Sequence, residues 1–508
     1  MTRKPAIATL CFVGLFVPSR LLTQTITNGP YLADPGRSSM TIRWETDKLA
    51  DGSVYWREDG REWQSQSAQL ISEKNGFYLY ETRLLNLQSG SEYLYEVKLG
   101  ANTNTLTSHF RTAMNDLTPM SFVAMGDSRS NPDIFRLVAE RVNQVSPDLI
   151  ISNGDLVENG GDFEQWQAFY FSAASAIIDH IPLLSCLGDH EGDGDNGELF
   201  RYFLYPGLPV NELWFSFDYG PAHFVALDYR HPNNKKMIEW FEEDLANAHA
   251  KWKFVYMHRP CYNTGGHRSN WGSEAWPALF QKHKIDIVFA GHSHLYERFF
   301  PMCPTSSPQS RPVTYVTTAG AGAGLYDAVA HPFLAVTESV NHFVYVQVQE
   351  DTLRYRAYRN DGSLLDQFAF IKHDEQLDAD YLSLVRPQEV MDVYAMFASA
   401  ISGSVTTVPL FSQPAEKTVS LQLRPAAGDI EFEISLTNES SGHFKMAPAT
   451  GILRAGQPLE LSLQIFSKSD LTISGWGDIE PVLQLQATYK CKLGEGAAVG
   501  KIIDYWPD

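Results

Sequence analysis

The sequence predicts a multidomain fold, α/β in its centre and all-β on both sides. Short alternating strands with no helical period occupy residues 25–114, and cycles of strand, loop and helix occupy 117–372. Alternating strands return over 396–508, after a polar, helix-capable connector at 373–395. A chain of 508 residues is also too long for one hydrophobic core, and its 44% hydrophobic and 20% charged content is that of a folded soluble protein.

Taken in order, residues 1–24 read as a signal peptide. Arg3 and Lys4 precede an apolar run from Ala6 to Val17, which Pro18 breaks before it is long enough to span a bilayer. A secreted or periplasmic protein without a transmembrane segment is expected. In the first β segment, Met40 to Trp44, Ser53 to Trp56 and Glu92 to Val97 are short alternating strands, which predicts a small β-sandwich. In the centre, Ser121 to Met125 reads as a strand and Asn131-Pro132 as a helix N-cap followed by proline. Ile134, Leu137, Val138, Val142 and Val145 then fall at helical spacing. Ser146-Pro147-Asp148 stops that helix, and Leu149 starts the next strand. Helices near 163–178, 235–248 and 274–283 alternate with strands near 183–187, 253–257 and 285–290, so a buried parallel or mixed sheet with outer helices is expected. Ser420 to Leu423, Glu431 to Ile434 and Leu459 to Ile465 alternate again and predict a C-terminal immunoglobulin-like sandwich.

A formal net charge of -20 disfavours adhesion to nucleic acid, so no nucleic-acid scaffold role is expected. It leaves a small phosphorylated substrate open, because bound cations reverse the local sign. Beyond the signal segment stand Cys186, Cys261, Cys303 and Cys491, with no C-x-x-C pair. A Cys261–Cys303 bridge and buried thiols are both compatible with that pattern.

The chemistry lies where acidic and imidazole residues follow apolar strands. Asp127 follows Ser121–Met125, Asp155 follows Leu149–Ser152, and Asp189-His190-Glu191 follow Leu183–Leu187. His258 follows Lys253–Met257, and His292-Ser293-His294 follow Ile285–Ala290. The C-terminal edge of an open α/β sheet is where ligands bind, so five loops at one end of one sheet are expected to converge. Gly126, Gly154, Gly188 and Gly291 let the backbone turn sharply there. One Gly-Asp at a strand end is usually a turn, and one buried histidine is usually a satisfied core residue; the set of five is not explained that way. Mixed carboxylate and imidazole donors suit zinc, iron or manganese, and a pair of such ions is a known arrangement for phosphoryl transfer to water.

At these residues the sequence resembles the calcineurin-like metallophosphoesterase superfamily, and within it the purple acid phosphatase branch. The match runs through Asp127 to Ser130, Gly154-Asp155, Gly188-Asp189-His190-Glu191, Met257-His258 and Gly291-His292-Ser293-His294. It extends through His258-Arg-Pro-Cys-Tyr-Asn and His292-Ser-His-Leu-Tyr-Glu-Arg, and covers about residues 28–372. The resemblance implies a central metallophosphoesterase α/β sandwich, and Pro30-Tyr31-Leu32 with Met40 to Thr46 resembles that branch's fibronectin type III-like leading domain. It implies that Asp127 and His294 bind a first metal, that Asp189, His258 and His292 bind a second, and that Asp155 bridges them. His190 matches the general acid and His267 a substrate-side histidine, while Arg129 and Arg268 are further candidates for phosphate binding. The Gly320-x-Gly322-x-Gly324 run lacks the helix and lysine of a P-loop and resembles the family's closing loop.

Two positions depart from the family pattern. Glu158 stands where purple members carry a tyrosine ligand, and Asp189 replaces the asparagine of the usual Gly-Asn-His-Glu motif. The expected activity is hydrolysis of phosphate monoesters by metal-bound hydroxide, with His190 as acid. The rivals are a phosphodiesterase or nucleotidase on the same site, or a non-catalytic surface-binding protein. Nothing in the residues fixes an oligomeric state.

Overall fold

Met120–Met125 is an apolar strand with no polar face, and both of its faces are covered. Phe122 and Ala124 point into a core shared with a second sheet, while Val123 and Met125 pack with Phe135, Val138, Ala139 and Val142 of helix Pro132–Val145. The same two-sided burial holds in Trp252–Met257, where Phe254 and Tyr256 enter the shared core and Val255 and Met257 face outward to a third cluster. Strands buried on both faces read as continuous apolar runs, which is the texture of a sheet covered by other layers. The coordinates are a computed structural model that describes residues 25–100, 105–267, 269–303, 311–329, 331, 333–373, 376–403, 416–424, 426, 428–437, 444–467, 484–491 and 494–501. The expected signal segment and Arg268 lie outside these residues.

Two seven-stranded mixed sheets face each other. The first runs in the order Leu183–Ser185, Leu149–Ser152, Met120–Met125, His342–Gln349, Thr352–Arg359, Leu364–His373 and Gln376–Leu377; its first three strands are parallel and its remaining pairings antiparallel. The second runs Phe215–Tyr219, Ala222–Ala226, Trp252–Met257, Ile287–Ala290, Thr314–Thr318, Tyr296–Phe299 and Leu334–Glu338, parallel through its middle four. The five expected loops therefore come from two sheets, three from the first and two from the second, and not from one. Strand periodicity reports which faces are buried but not which neighbour a strand pairs with. Within each sheet the ends are level: Ser152 lies opposite Met125 and Ser185, and Met257 lies opposite Ala290.

Helix Pro132–Val145 starts as its sequence predicts, with Asn131 accepting from Ile134 N–H at 3.2 Å and proline in the first turn. Leu137 is exposed, and Phe135 and Ala139 take the buried positions instead. The helix expected near 163–178 is a short turn, Phe163–Gln165, running into the π-helix Trp166–Phe171. Its aromatic residues pack on Phe203 of an unexpected helix, Glu198–Leu204.

Two four-stranded antiparallel sheets precede the centre and enclose Ile42, Trp44, Val54, Tyr95 and Phe110. They dock on helix Glu198–Leu204 through Tyr31, whose hydroxyl donates to Phe203 O at 2.6 Å, and Arg43, which donates to Leu204 O at 2.8 Å. At the other end, a three-stranded and a four-stranded sheet surround Val419, Phe432 and Ile465. The expected boundary at 395/396 falls inside helix Gln388–Gly403. Val390, Val393, Tyr394, Phe397 and Ile401 of that helix join Met257, Tyr315 and Phe432 in one cluster, so the last residues of the connector, from Val390 to Tyr394, pack into a core. The polar stretch before it hides this apolar stripe from a reading by composition. Cys261 is a buried free thiol, so the Cys261–Cys303 bridge is not formed.

Candidate metal centre

The level strand ends bring six donors into two trios. Asp127, Asp155 and His294 form one and Asp189, His258 and His292 the other, with one donor atom from each residue within 4.8 Å of the others in its trio. All six expected ligands are thus brought together, each on the strand end from which it was read. Three sit where the backbone pays for its geometry, with φ of 59° at Asp127, 55° at Asp155 and 70° at His292. Left-handed non-glycine residues are costly and concentrate where a side chain must be aimed at a ligand. Gly154 has φ 85°, and a Cβ there would lie 2.6 Å from Gly188 Cα, so only glycine lets the two loops touch.

Hydrogen bonds outside the trios aim the imidazoles. His258 Nδ1 donates to Asn153 O at 2.8 Å and His294 Nδ1 to Gly324 O at 2.7 Å, which leaves both Nε2 atoms as lone-pair donors. His258 Nε2 is buried without a hydrogen bond, 3.4 Å from Asp155 Oδ1 and 3.7 Å from Asp189 Oδ2. His294 Nε2 lies 3.4 Å from Asp127 Oδ1, and His292 Nδ1 lies 2.8 Å from Asp189 Oδ2. Asn153 also ties the two sheets, donating to Ala290 O at 3.1 Å.

The electrostatics fit a cation. Burial alone would favour neutral His258, yet Asp155, Asp189 and Asp127 around it push its pKa up to about 10. Burial would likewise raise Asp189, but His258, His292 and Arg259 hold its carboxyl far below the usual range. Asp127, fully buried, is held low by His294, His258 and His292 against its own desolvation. A pocket with three buried carboxylates and an orphaned imidazole nitrogen is built to be filled by positive charge.

The remaining expected residues surround the trios. His190 donates its backbone N–H to Asp155 Oδ1 at 3.0 Å, its Nδ1 meets Glu158 O at 2.5 Å, and its Nε2 lies 3.9 Å from Asp155 Oδ2. Arg129 is not a surface side chain. Its Nε donates to Asp155 Oδ2 at 3.2 Å, one terminal nitrogen to Glu158 Oε2 at 2.8 Å, and the other lies 3.3 Å from His294 Nε2. His267 stacks on His292, ring centroids 4.3 Å apart, and its pKa is lowered by burial and by His292. The Gly320–Gly324 run does lie beside the site, with Ala323 N–H donating to Asp127 O at 2.8 Å.

Two residues were not singled out by sequence reasoning. Glu191 is fully buried and accepts four backbone N–H groups, from Asp155, Leu156, Val157 and Gly188, at 2.7–3.1 Å. It fixes the loop that carries Asp155, and burial with Asp155 nearby pushes its pKa up to about 8. Arg259 donates to both oxygens of Asp189, at 2.8 and 3.1 Å. The signal for both was adjacency, since each lies within two residues of a ligand in a matched motif.

The family model for calcineurin-like phosphoesterases matches residues 120–296, the stretch that contains all six donors. That stretch of the chain is a calcineurin-like phosphoesterase domain. Acid phosphatase type 7 of Mus musculus is 26% identical over 317 residues, covering 54% of this chain and 70% of the mouse protein. A purple acid phosphatase of Glycine max is 23% identical over 372 residues, covering 63% and 79%. In fold, the chain is similar to a purple acid phosphatase from yellow lupin (Lupinus luteus) seeds, with TM-score 0.59, 19% identity, and 70% of this chain and 75% of that one covered. The family model and these relatives support a metal-dependent phosphoric ester hydrolase of the purple acid phosphatase-like kind.

Proposed function

We propose that this chain hydrolyses small phosphate monoesters at a dinuclear centre in which Asp155 is shared. The observation that carries the proposal is the division of six buried donors into two trios, with Asp155 in one and its Oδ1 3.4 Å from His258 Nε2 of the other. Zinc, manganese and ferrous iron suit these donors. When bound, two such ions neutralise phosphate oxygens and supply hydroxide near neutral pH.

The chain's own groups do the rest. Arg129 and Arg259 each hold a ligand carboxylate and present guanidinium protons beside the trios, where a phosphate would accept them. His190 donates Nδ1–H to Glu158 O, which turns Nε2 toward Asp155. From there Nε2 gives its proton to the departing alkoxide, which would otherwise leave as a strong base. His267 stacks on His292 of the second trio. Export is supported by the charged start and apolar run of residues 3–17, and no helix among the described residues is long and apolar enough to cross a membrane. The paired sheets before and after the centre support reading them as fibronectin type III-like and immunoglobulin-like modules.

Metal analysis of the purified protein, with p-nitrophenyl phosphate and its bis-ester as substrates, tests the proposal. Close to two transition-metal ions per chain, faster turnover of the monoester and loss of activity on chelation are expected. Full activity in metal-stripped protein overturns the centre, and faster turnover of the bis-ester overturns the monoester assignment.

A further inference from the structure

The loop from Ala323 to Val329 is pinned across the metal-binding loops along its length. Gly324 O accepts from His294 Nδ1, Tyr326 N–H donates to His294 O at 2.9 Å, Gly266 N–H donates to Asp327 O at 3.3 Å, and Thr264 Oγ1 donates to Val329 O at 3.2 Å. Held in this way are two large apolar side chains, Leu325 and Tyr326, which remain 38% and 36% exposed. The Tyr326 ring lies parallel on His294, with centroids 4.5 Å apart and planes at 13°. It meets His267 edge-on at 6.3 Å and 73°, and His267 stacks on His292 at 4.3 Å. A band of rings thus joins one donor trio to the other, and its one carbocyclic member is about a third open to solvent.

We infer that Tyr326, with Leu325 beside it, forms a subsite for a planar aromatic leaving group, which makes aryl phosphomonoesters the favoured substrate class. This rests on the phosphomonoesterase reading above and deepens it. A ring stacked on a ligand imidazole has used one face, and its exposed remainder meets whatever extends from a phosphate held between the trios. Aromatic pairs form at centroid separations of roughly 4.5–7 Å, so a ring joined directly to the ester oxygen falls within reach while a short alkyl group gains little. The backbone anchors mean that the tyrosine is already ordered, so the contact costs little new conformational entropy.

The test uses the metal-loaded full chain and two phosphonates that cannot be hydrolysed, phenylphosphonate and methylphosphonate, with affinities measured by titration calorimetry. The ratio of kcat/KM for phenyl phosphate to that for an alkyl phosphate is measured alongside. In Tyr326→Ala the phenyl-to-methyl affinity ratio should fall about 3–10-fold, and in Tyr326→Phe it should be kept, because the ring face is the recognising element. If Tyr326→Ala folds poorly or loses metal, Leu325→Ser should show a smaller fall in the same direction. An unchanged ratio in whichever of these two variants is folded and metal-loaded, or a loss in Tyr326→Phe equal to that in Tyr326→Ala, overturns the subsite. A wild-type protein that binds phenylphosphonate with the expected ratio yet hydrolyses neither ester keeps the subsite and removes the hydrolase reading instead.

Discussion

Arg129 and Glu158 form an ion pair at 2.8 Å beside the two donor trios, and Glu158 belongs to neither. The same guanidinium reaches Asp155 Oδ2 at 3.2 Å, and Ser130 Oγ also donates to Glu158. The carboxylate that replaces the family's tyrosine therefore acts on the arginine that touches the shared ligand, holding it from the far side.

Arg129→Ala should lower kcat/KM for a phosphomonoester about 10²-fold, the usual cost of one donor aimed at developing negative charge. Glu158→Gln should raise KM by only about 2–5-fold, because the Glu158 side chain is 44% exposed and an exposed pair contributes roughly 0.2–1 kcal/mol. Steady-state kinetics at matched metal content decide it. An Arg129→Ala enzyme with unchanged kcat/KM would make Arg129 a counter-charge for Asp155 and nothing more.

His190→Ala should depress turnover about 10²–10⁴-fold for esters with poor leaving groups and far less for p-nitrophenyl phosphate, which needs no protonation to depart. Its Nδ1 contact with Glu158 O fixes the ring, and the variant removes the acid while keeping the backbone N–H bond to Asp155 Oδ1. Equal losses across leaving groups, accompanied by metal loss, would mark His190 as a structural residue.

Away from the centre, stability should depend on pH through His223. Burial opposes its charge, but Asp218 at 2.7 Å and Asp244 at 2.8 Å outweigh burial and raise its pKa to about 9. A folded pKa above the unfolded value of about 6.5 means a stabilisation that is complete below pH 6.5 and lost as pH rises through 9. With Asp218 63% exposed, the contribution is on the order of 2 kcal/mol. Thermal melts of wild type and His223→Gln should therefore converge between pH 6.5 and 9. Parallel curves across that window would show that the triad does not titrate with folding.

The six donors were legible because each follows an apolar strand by one to four residues, a local pattern that survives folding. Their division between two sheets was not, since nothing local in Trp252–Met257 says that it pairs with Ala222–Ala226 rather than with Met120–Met125. The helix Asp189–Asp195 was equally hidden: its sequence has no apolar residue and two glycines. Asp189 and Glu191 in its first turn complement the positive helix end, and the Glu191 carboxylate is held by four backbone N–H groups from outside the helix. Tyr326 carried no signal at all, because its position depends on loop anchors to His294 that only the fold brings near.

The last prediction is that the iron-loaded, air-oxidised protein is not purple. In the family it resembles, the colour is attributed to charge transfer from a tyrosinate to ferric iron, and the position of that tyrosine is Glu158, already engaged by Arg129 and Ser130. Tyr170 is fully buried in the apolar cluster behind the first sheet, and burial pushes its phenol well above the usual range, so it resists becoming a tyrosinate. Tyr229 packs edge-on against His258 with its hydroxyl 3.5 Å from Asp189 O, and burial and Asp189 raise its phenol too. Tyr326 lies face-on over His294, an arrangement that uses its ring and not its oxygen. Without a phenolate donor the first trio also lacks a hard anion that favours ferric iron, which is why divalent ions are the better fit. An absorption spectrum from 400 to 700 nm, taken with and without phosphate, decides the matter. A strong band that moves on adding phosphate would place a tyrosinate on the metal, and Tyr326→Phe and Tyr229→Phe would show which one.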